Sequence, residues 1–432
     1  MIISQSRSKV KSKVLNLVEH LKSDLSRPVL KFLSEMIMGM LLSGSCNINL
    51  IASHLKEQIE VKDTIKRLHR MLLKGCVLLK LANDLSVSEA VKKIDKDTIL
   101  ALDGGDITHQ YGECFEKSEY VKDGSSKEEK LRKGYWLNQI SGYNPCTGET
   151  FPVLLYIYSV LESGFKSVNI ETFKILDELL AKIGKLGLWV IDRGYDSGKV
   201  LSHFLSKGLD FVVRMKKSRN IIYKGKSVNI WKRALLMNRR YTYNSHGRFG
   251  SCKIKLNVEG EEYKMTLICY KDDRNKEPMI LLTNGWVKKV KELKRRILGY
   301  FRRWGVEDCY RFEKQGFGIE KSKTRKYNRI KGLLGLTILS WLFLIKVNND
   351  GRLKEVVLKE ARMEKDRLKD RPKFIYYRLL RGLQNVFSGI RRLFNFRLKR
   401  LEKELLRGKA LIDYPLFKHL CADDFWLEQM AA

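Results

Sequence analysis

The sequence predicts an α/β protein: a mixed sheet flanked by helices, with an inserted β-rich subdomain and helical N- and C-terminal regions. Three observations predict it. Helical apolar spacing dominates the first 95 residues and returns after residue 348. Three strand-like runs follow one another from about residue 96 and then give way to alternating helix and strand, the order expected of a mixed sheet covered by helices. Short alternating runs break that rhythm between about 218 and 277, which marks the insertion.

Taken in order, "SRPVLKFLSEMIMGMLL" has helical apolar spacing, with Ser26 as a cap and Pro28 close behind. After "SGSCN", the runs "INLIASHLKEQ" and "VKDTIKRLHRMLLKG" read as two short amphipathic helices. They admit two readings: a helix-turn-helix-like DNA reader presenting Lys66, Arg67, His69 and Arg70, or a plain bundle with a solvated basic side. Residues 96–217 form the first part of the core. There "TILALD" reads as a strand ending at Asp103, and "GYWLNQISGY" and "TFPVLLYIYSV" as its antiparallel successors. The helix "NIETFKILDELLAKIG" then leads to the short buried strand "LGLWVID", ending at Asp192, and "LDFVVRMKK" follows a second helix. After the 218–277 insertion, "PMILLTNG" restores an apolar strand, and residues 278–348 complete the core with a long basic helix. Residues 349–432 read as helical and basic, and no internal repeat is present.

Composition narrows the partners. The chain of 432 residues carries 84 Lys+Arg against 49 Asp+Glu, a net charge of +35, so a polyanion is the expected partner. DNA, RNA and an anionic membrane all satisfy that. The excess is spread along the chain, which suits a long groove. Eight cysteines without a CxxC pair read as reduced cytosolic thiols, and "MIISQSRSKVKSKVLNLVEH" lacks the apolar core of a signal peptide. The run in "KGLLGLTILSWLFLIK" holds about 14 uncharged residues, fewer than a span requires, and reads as a buried core helix. No membrane partner is expected.

The acids carry the chemistry. Asp103 and Asp192 each follow an apolar run at the C-terminal end of a predicted strand, the edge where open α/β sheets bind ligands. Glu307 lies in "YFRRWGVEDCYRFEKQ", where Tyr300, Arg303, Glu307 and Lys314 fall within a roughly 60° arc of one helix face. Three carboxylates of this kind suit two Mg²⁺ or Mn²⁺ ions and metal-assisted phosphodiester cleavage, with the neighbouring cations gripping phosphate. Taken singly, each acid has an ordinary alternative. A strand-end Asp forms turns, Asp106 in "DGGD" is an alternative ligand to Asp103, and Glu307 has ion-pair partners in Arg303 and Arg311 at helical spacing.

The spacing of Tyr300, Arg303, Glu307 and Lys314 resembles the Tyr–Arg–Glu–Lys signature of one subgroup of DDE transposases of bacterial insertion sequences, with Asp103 and Asp192 matching the two aspartates upstream. The resemblance covers about residues 20–350. It implies a ribonuclease H-like catalytic core, with Asp103, Asp192 and Glu307 as catalytic metal ligands for two Mg²⁺ (or Mn²⁺) ions. Tyr300, Arg303 and Lys314 would contact phosphates at the element end, and Arg311 joins them as a DNA-binding candidate. It further implies a cytoplasmic, bacterial, cut-and-paste enzyme acting on double-stranded DNA as a homodimer, through a hairpin intermediate in some members. Residues 1–95, with Lys66, Arg67 and Arg70, would read the terminal inverted repeats. Trp231 and Trp286 are candidates for stacking a flipped base, or else core residues. A domesticated DNA-binding regulator and a ribonuclease H-like nuclease without strand transfer are the competing readings.

Overall fold

Pro28 occupies the first turn of a helix, where a missing N–H costs nothing, and Gly44 closes that helix in the left-handed conformation at φ 60°. This helix, α2 (Arg27–Ser43), follows α1 (Ile2–Glu19) and precedes α3 (Ile48–Leu55) and α4 (Val61–Met71). Asn47 caps α3 by accepting the Asn49 N–H at 3.0 Å. The computed structural model describes residues 2–19, 25–109, 114–122, 131–361 and 374–387. The chain divides into two units: Met1–Leu73 with Gly316–Gly318 and Phe343–Ala432, and Lys74–Gln315 with Ile319–Leu342. In the first unit, Val10, Val14 and Leu17 of α1 and Phe32, Leu33, Met36 and Met40 of α2 are buried, the apolar stripes their periodicity predicts. Much of the C-terminal region expected to be helical, 362–373 and 388–432, lies outside the described residues.

The second unit begins with α5 (Gly75–Val91), which belongs to the sheet rather than to the preceding helices. The buried Asn83 amide donates to the Leu155 carbonyl and accepts the Leu155 N–H, at 2.8 and 3.2 Å. The sheet strands are β1 (Ile99–Thr108), β2 (Glu119–Lys122), β3 (Leu131–Tyr143) and β4 (Thr150–Tyr158). After α6 (Val168–Ile183) come β5 (Leu188–Ile191), α7 (Gly198–Ser206) and β6 (Phe211–Arg214). β1 runs antiparallel to β3, and β3 to β4; β1, β5 and β6 are parallel neighbours. The strand order here is β4–β3–β1–β5–β6. Every residue of β5 is buried, as a parallel strand covered on both faces requires.

The strands that follow are not a separate sheet. β7 (Asn220–Tyr223), β8 (Lys226–Asn229), β9 (Tyr241–Thr242), β10 (Gly247–Val258) and β11 (Glu261–Asp272) surround a short helix, α8 (Ile230–Leu235). β12 (Met279–Asn284) pairs antiparallel with both β11 and β6, so among the described residues one sheet of 12 strands runs from the core into the insertion. Next come α9 (Val290–Arg302), α10 (Trp304–Arg311), a π-helical turn (Phe312–Gly316) and α11 (Tyr327–Asn348); α12 (Gly351–Glu360) belongs to the first unit. By length and composition α11 is apolar enough to cross a membrane, but 89% of its most apolar window is buried, as a core helix would be.

Candidate active site

The apolar run "TILALD" predicts a strand ending at Asp103, and here the structure differs: β1 continues five residues further, to Thr108. β3 supplies a partner for each added residue, out to Thr108 opposite Gly134, and this pairing overrides the turn preference of "DGGD". What ends beside Asp103 is the parallel pairing with β5, whose last matched residues are Leu102 and Ile191. Asp103, within β1, and Asp192, the residue after β5, are therefore neighbours just past the point where the parallel pairing of the two strands ends. Gly105 allows the close approach of α10. A Cβ there would stand 2.9 Å from the Tyr310 ring, whose Oη donates to the Asp103 carbonyl at 2.7 Å.

The long helix expected around Glu307 is broken at Arg303 into α9 and α10 and ends in the π-helical turn. Tyr300, Arg303 and Glu307 converge as their spacing predicts. Lys314 does not, because a π-helical turn carries more residues per turn than the α-helix on which the arc was counted. Arg303 stands at the centre, only 6% exposed. Its Nη1 donates to Asp103 Oδ2 at 2.6 Å, its Nη2 donates to Glu307 Oε1 at 3.1 Å, and its Nε pairs with Asp192 Oδ1 at 3.8 Å. Tyr300 Oη donates to the same Asp192 oxygen at 2.9 Å.

This geometry sets the electrostatics. Burial pushes the Asp103 carboxyl up to about 7, against the opposing pull of Arg303 and with a further push from Asp192. Asp192 goes the other way: burial raises it, but Arg303, the Arg193 N–H and Tyr300 together outweigh burial and hold it below the usual carboxylate range. Burial and the neighbouring Asp192 push the Tyr300 hydroxyl up to about 12. Although burial disfavours its charge, Arg303 is held firmly protonated by the carboxylates, Asp103 first.

Among the described residues no three His, Cys, Asp or Glu side chains are gathered as a metal-binding cluster; the guanidinium stands where the three acids converge. The donor chemistry nonetheless fits a hard divalent cation, since all three side chains offer carboxylate oxygens alone. A cation among them would also oppose the desolvation that pushes the Asp103 carboxyl up.

The remaining candidates are placed differently. Lys314 turns inward, donating to Asp106 Oδ2 at 2.8 Å and pairing with Glu320 at 3.2 Å, so Asp106 joins Lys314 and not the Arg303 cluster. Arg311 is exposed and donates to Asp308 at 3.0 Å. In the first unit Arg67 lies between Glu35 (2.7 Å) and Glu57 (2.8 Å), while Lys66 and Arg70 are exposed. Trp231 is half-buried beneath Lys217, and Trp286 is exposed with Lys253 and Lys264 against its ring, so neither is a core residue. Sequence reasoning missed Tyr310, Gln139, Glu313 and Glu320, each of which acts through a partner far away in the chain or through the helix turn beside it. The "DGGD" glycines were the one local signal, marking where Tyr310 packs.

Two solved structures match the chain at low identity. A cryo-EM structure of a piggyBac transposase synaptic complex with hairpin DNA is 12% identical, covers 94% of this chain and 84% of its own, and has a TM-score of 0.44. A crystal structure of an endonuclease V from Bacillus subtilis is 12% identical, covers 54% and 92%, and has a TM-score of 0.26. No curated protein matches the chain. The family model described as "Transposase DDE domain" matches residues 94–343. That stretch is more than half of the chain and takes in Asp103, Asp192 and Glu307, so the chain belongs to the DDE transposases.

Proposed function

We propose that this protein is the transposase of a bacterial insertion sequence, cutting double-stranded DNA at the element's ends and joining those ends to target DNA. The observation that carries the proposal is the meeting of Asp103, Asp192 and Glu307 on one guanidinium, in a chain of the DDE family. On this reading the three acids hold two Mg²⁺ or Mn²⁺ ions. When bound, the ions stabilise the attacking and leaving oxygens of an in-line displacement at phosphorus.

The chain's own residues supply the rest. Arg303, whose planar fork suits a phosphate, would grip DNA beside the carboxylates. Tyr300 keeps Asp192 oriented through its hydrogen bond. In the first step water attacks the phosphodiester at each element end, leaving a 3′-hydroxyl on the element. In the second, that hydroxyl attacks a target phosphodiester, forming the new O–P bond and expelling a target 3′-hydroxyl. Movement is cut-and-paste, two copies of the chain hold the two ends, and the reaction belongs to the bacterial cytoplasm. Lys66 and Arg70, exposed on α4, contact the backbone of the terminal repeats.

Labelled DNA carrying the element ends, incubated with unlabelled target DNA and Mg²⁺ or Mn²⁺, tests this reading. Joined product is expected. Cut product without joining supports a nuclease, and binding without cutting supports a regulator.

A further inference from the structure

Gln139 and Glu313 form a buried pair that none of the chemistry above uses. Gln139 lies on β3 directly opposite Asp103, and Glu313 lies in the π-helical turn that ends the Glu307 helix. They are 1% and 2% exposed, and Gln139 Nε2 donates to Glu313 Oε1 at 3.0 Å. The other two oxygens of the pair, Gln139 Oε1 and Glu313 Oε2, are buried with no hydrogen-bond partner. Both are acceptors when Glu313 is ionised, and a buried acceptor without a donor is unfavourable. A proton on Glu313 Oε2 changes this, because the acid can then donate to the amide carbonyl while the amide donates to the acid.

We propose that Glu313 is a positioning residue that keeps its proton and forms a reciprocal acid–amide pair with Gln139, fixing the end of the Glu307 helix to the strand beside Asp103. The surroundings favour the neutral acid. Burial pushes Glu313 up to about 8, and neither the Gln139 amide nor Lys314 reverses it. Cys309 and Tyr310, which interact with Glu313, are both raised well above their ordinary values, by burial first, and so carry no charge to it. Lys314, whose charge pulls Glu313 the other way, is engaged by Asp106 and Glu320. The pair also holds the π-helical turn that directs Lys314 to those acids and leaves Arg303 alone among the three carboxylates.

The consequence for cleavage rests on the reading of Asp103 and Glu307 given above, so the test separates the proton from the activity. Infrared spectra of wild type and Glu313→Gln are expected to differ by the carbonyl band of a protonated carboxylic acid, present at pH 7 and absent from the variant. Glutamine can donate to Gln139 Oε1 and accept from Nε2 without a proton. Glu313→Gln is therefore expected to cleave DNA ends at the wild-type rate, without the wild type's decline above about pH 8. Glu313→Ala is expected to lower turnover about tenfold with DNA affinity unchanged. An infrared difference lacking the acid band overturns the proposal, as does a Glu313→Gln enzyme that declines above pH 8 as wild type does. If the band is present but wild type does not cut DNA, the pair stands and the transposase reading fails.

Discussion

Arg303 donates to Asp103 at 2.6 Å across 200 residues of chain, joining the first strand of the sheet to the break between α9 and α10. One guanidinium thereby pairs with three acids that repel one another, beside the point where the β1–β5 pairing ends.

Removing that guanidinium leaves the acids uncompensated. Breaking a buried pair by deleting one partner costs about 3–5 kcal/mol, and because Asp192 and Glu307 are partly exposed, the lower end is expected for Arg303→Ala. Urea unfolding without divalent ions should show a loss of about 3 kcal/mol. Added Mn²⁺ should restore stability to the variant more than it stabilises wild type, since only in wild type must the ion displace a cation. Equal responses to Mn²⁺ would count against a metal site at these carboxylates.

The raised Asp103 carboxyl makes stability depend on pH. Between its ordinary value of 3.8 and about 7 the folded chain keeps a proton that the unfolded chain has lost, so unfolding releases it. This contribution to stability is fully present below about pH 4 and declines as pH rises to about 7. Unfolding midpoints of wild type and Asp103→Asn measured across that range should converge or cross accordingly, with the variant lacking the decline.

Lys314 is expected to act on stability through Asp106 rather than through DNA alone. Lys314→Met strands a carboxylate that is 7% exposed and should cost about 3 kcal/mol. The double variant Asp106→Asn/Lys314→Met should lose less than the sum of the single losses, a coupling that a double-mutant cycle reads directly.

Three cations of α4 should separate. Arg67→Ala removes the partner of the buried Glu35 and is expected to lower the melting temperature. Lys66→Ala and Arg70→Ala should leave melting unchanged while each reduces the salt dependence of DNA binding by about one unit of slope. A melting loss in all three would place α4 in the fold and not at the DNA.

Much of this arrangement was legible in the sequence because it is local. The meander, the alternation after it and the convergence of Tyr300, Arg303 and Glu307 follow from periods of 2 and 3.6 residues. The parts that were not legible depend on distant partners. The continuation of β1 through two glycines rests on its pairing with β3, and the fusion of the inserted strands to the core rests on β12 meeting β6. The inward turn of Lys314 depends on a π-helical turn tied to Gln139, a contact 174 residues apart in sequence. Arg67 was read as a surface cation because nothing local shows that Glu35 and Glu57 converge on it.

The most direct measurement is metal-dependent cutting of DNA carrying the element ends by wild type, Asp103→Asn, Asp192→Asn and Glu307→Gln. Each variant should keep its fold, as judged by circular dichroism, and bind the DNA. Cutting by wild type that requires Mg²⁺ or Mn²⁺ and disappears in all three variants is the result predicted. Undiminished cutting by any one of them would contradict the assignment of these three acids as the active site.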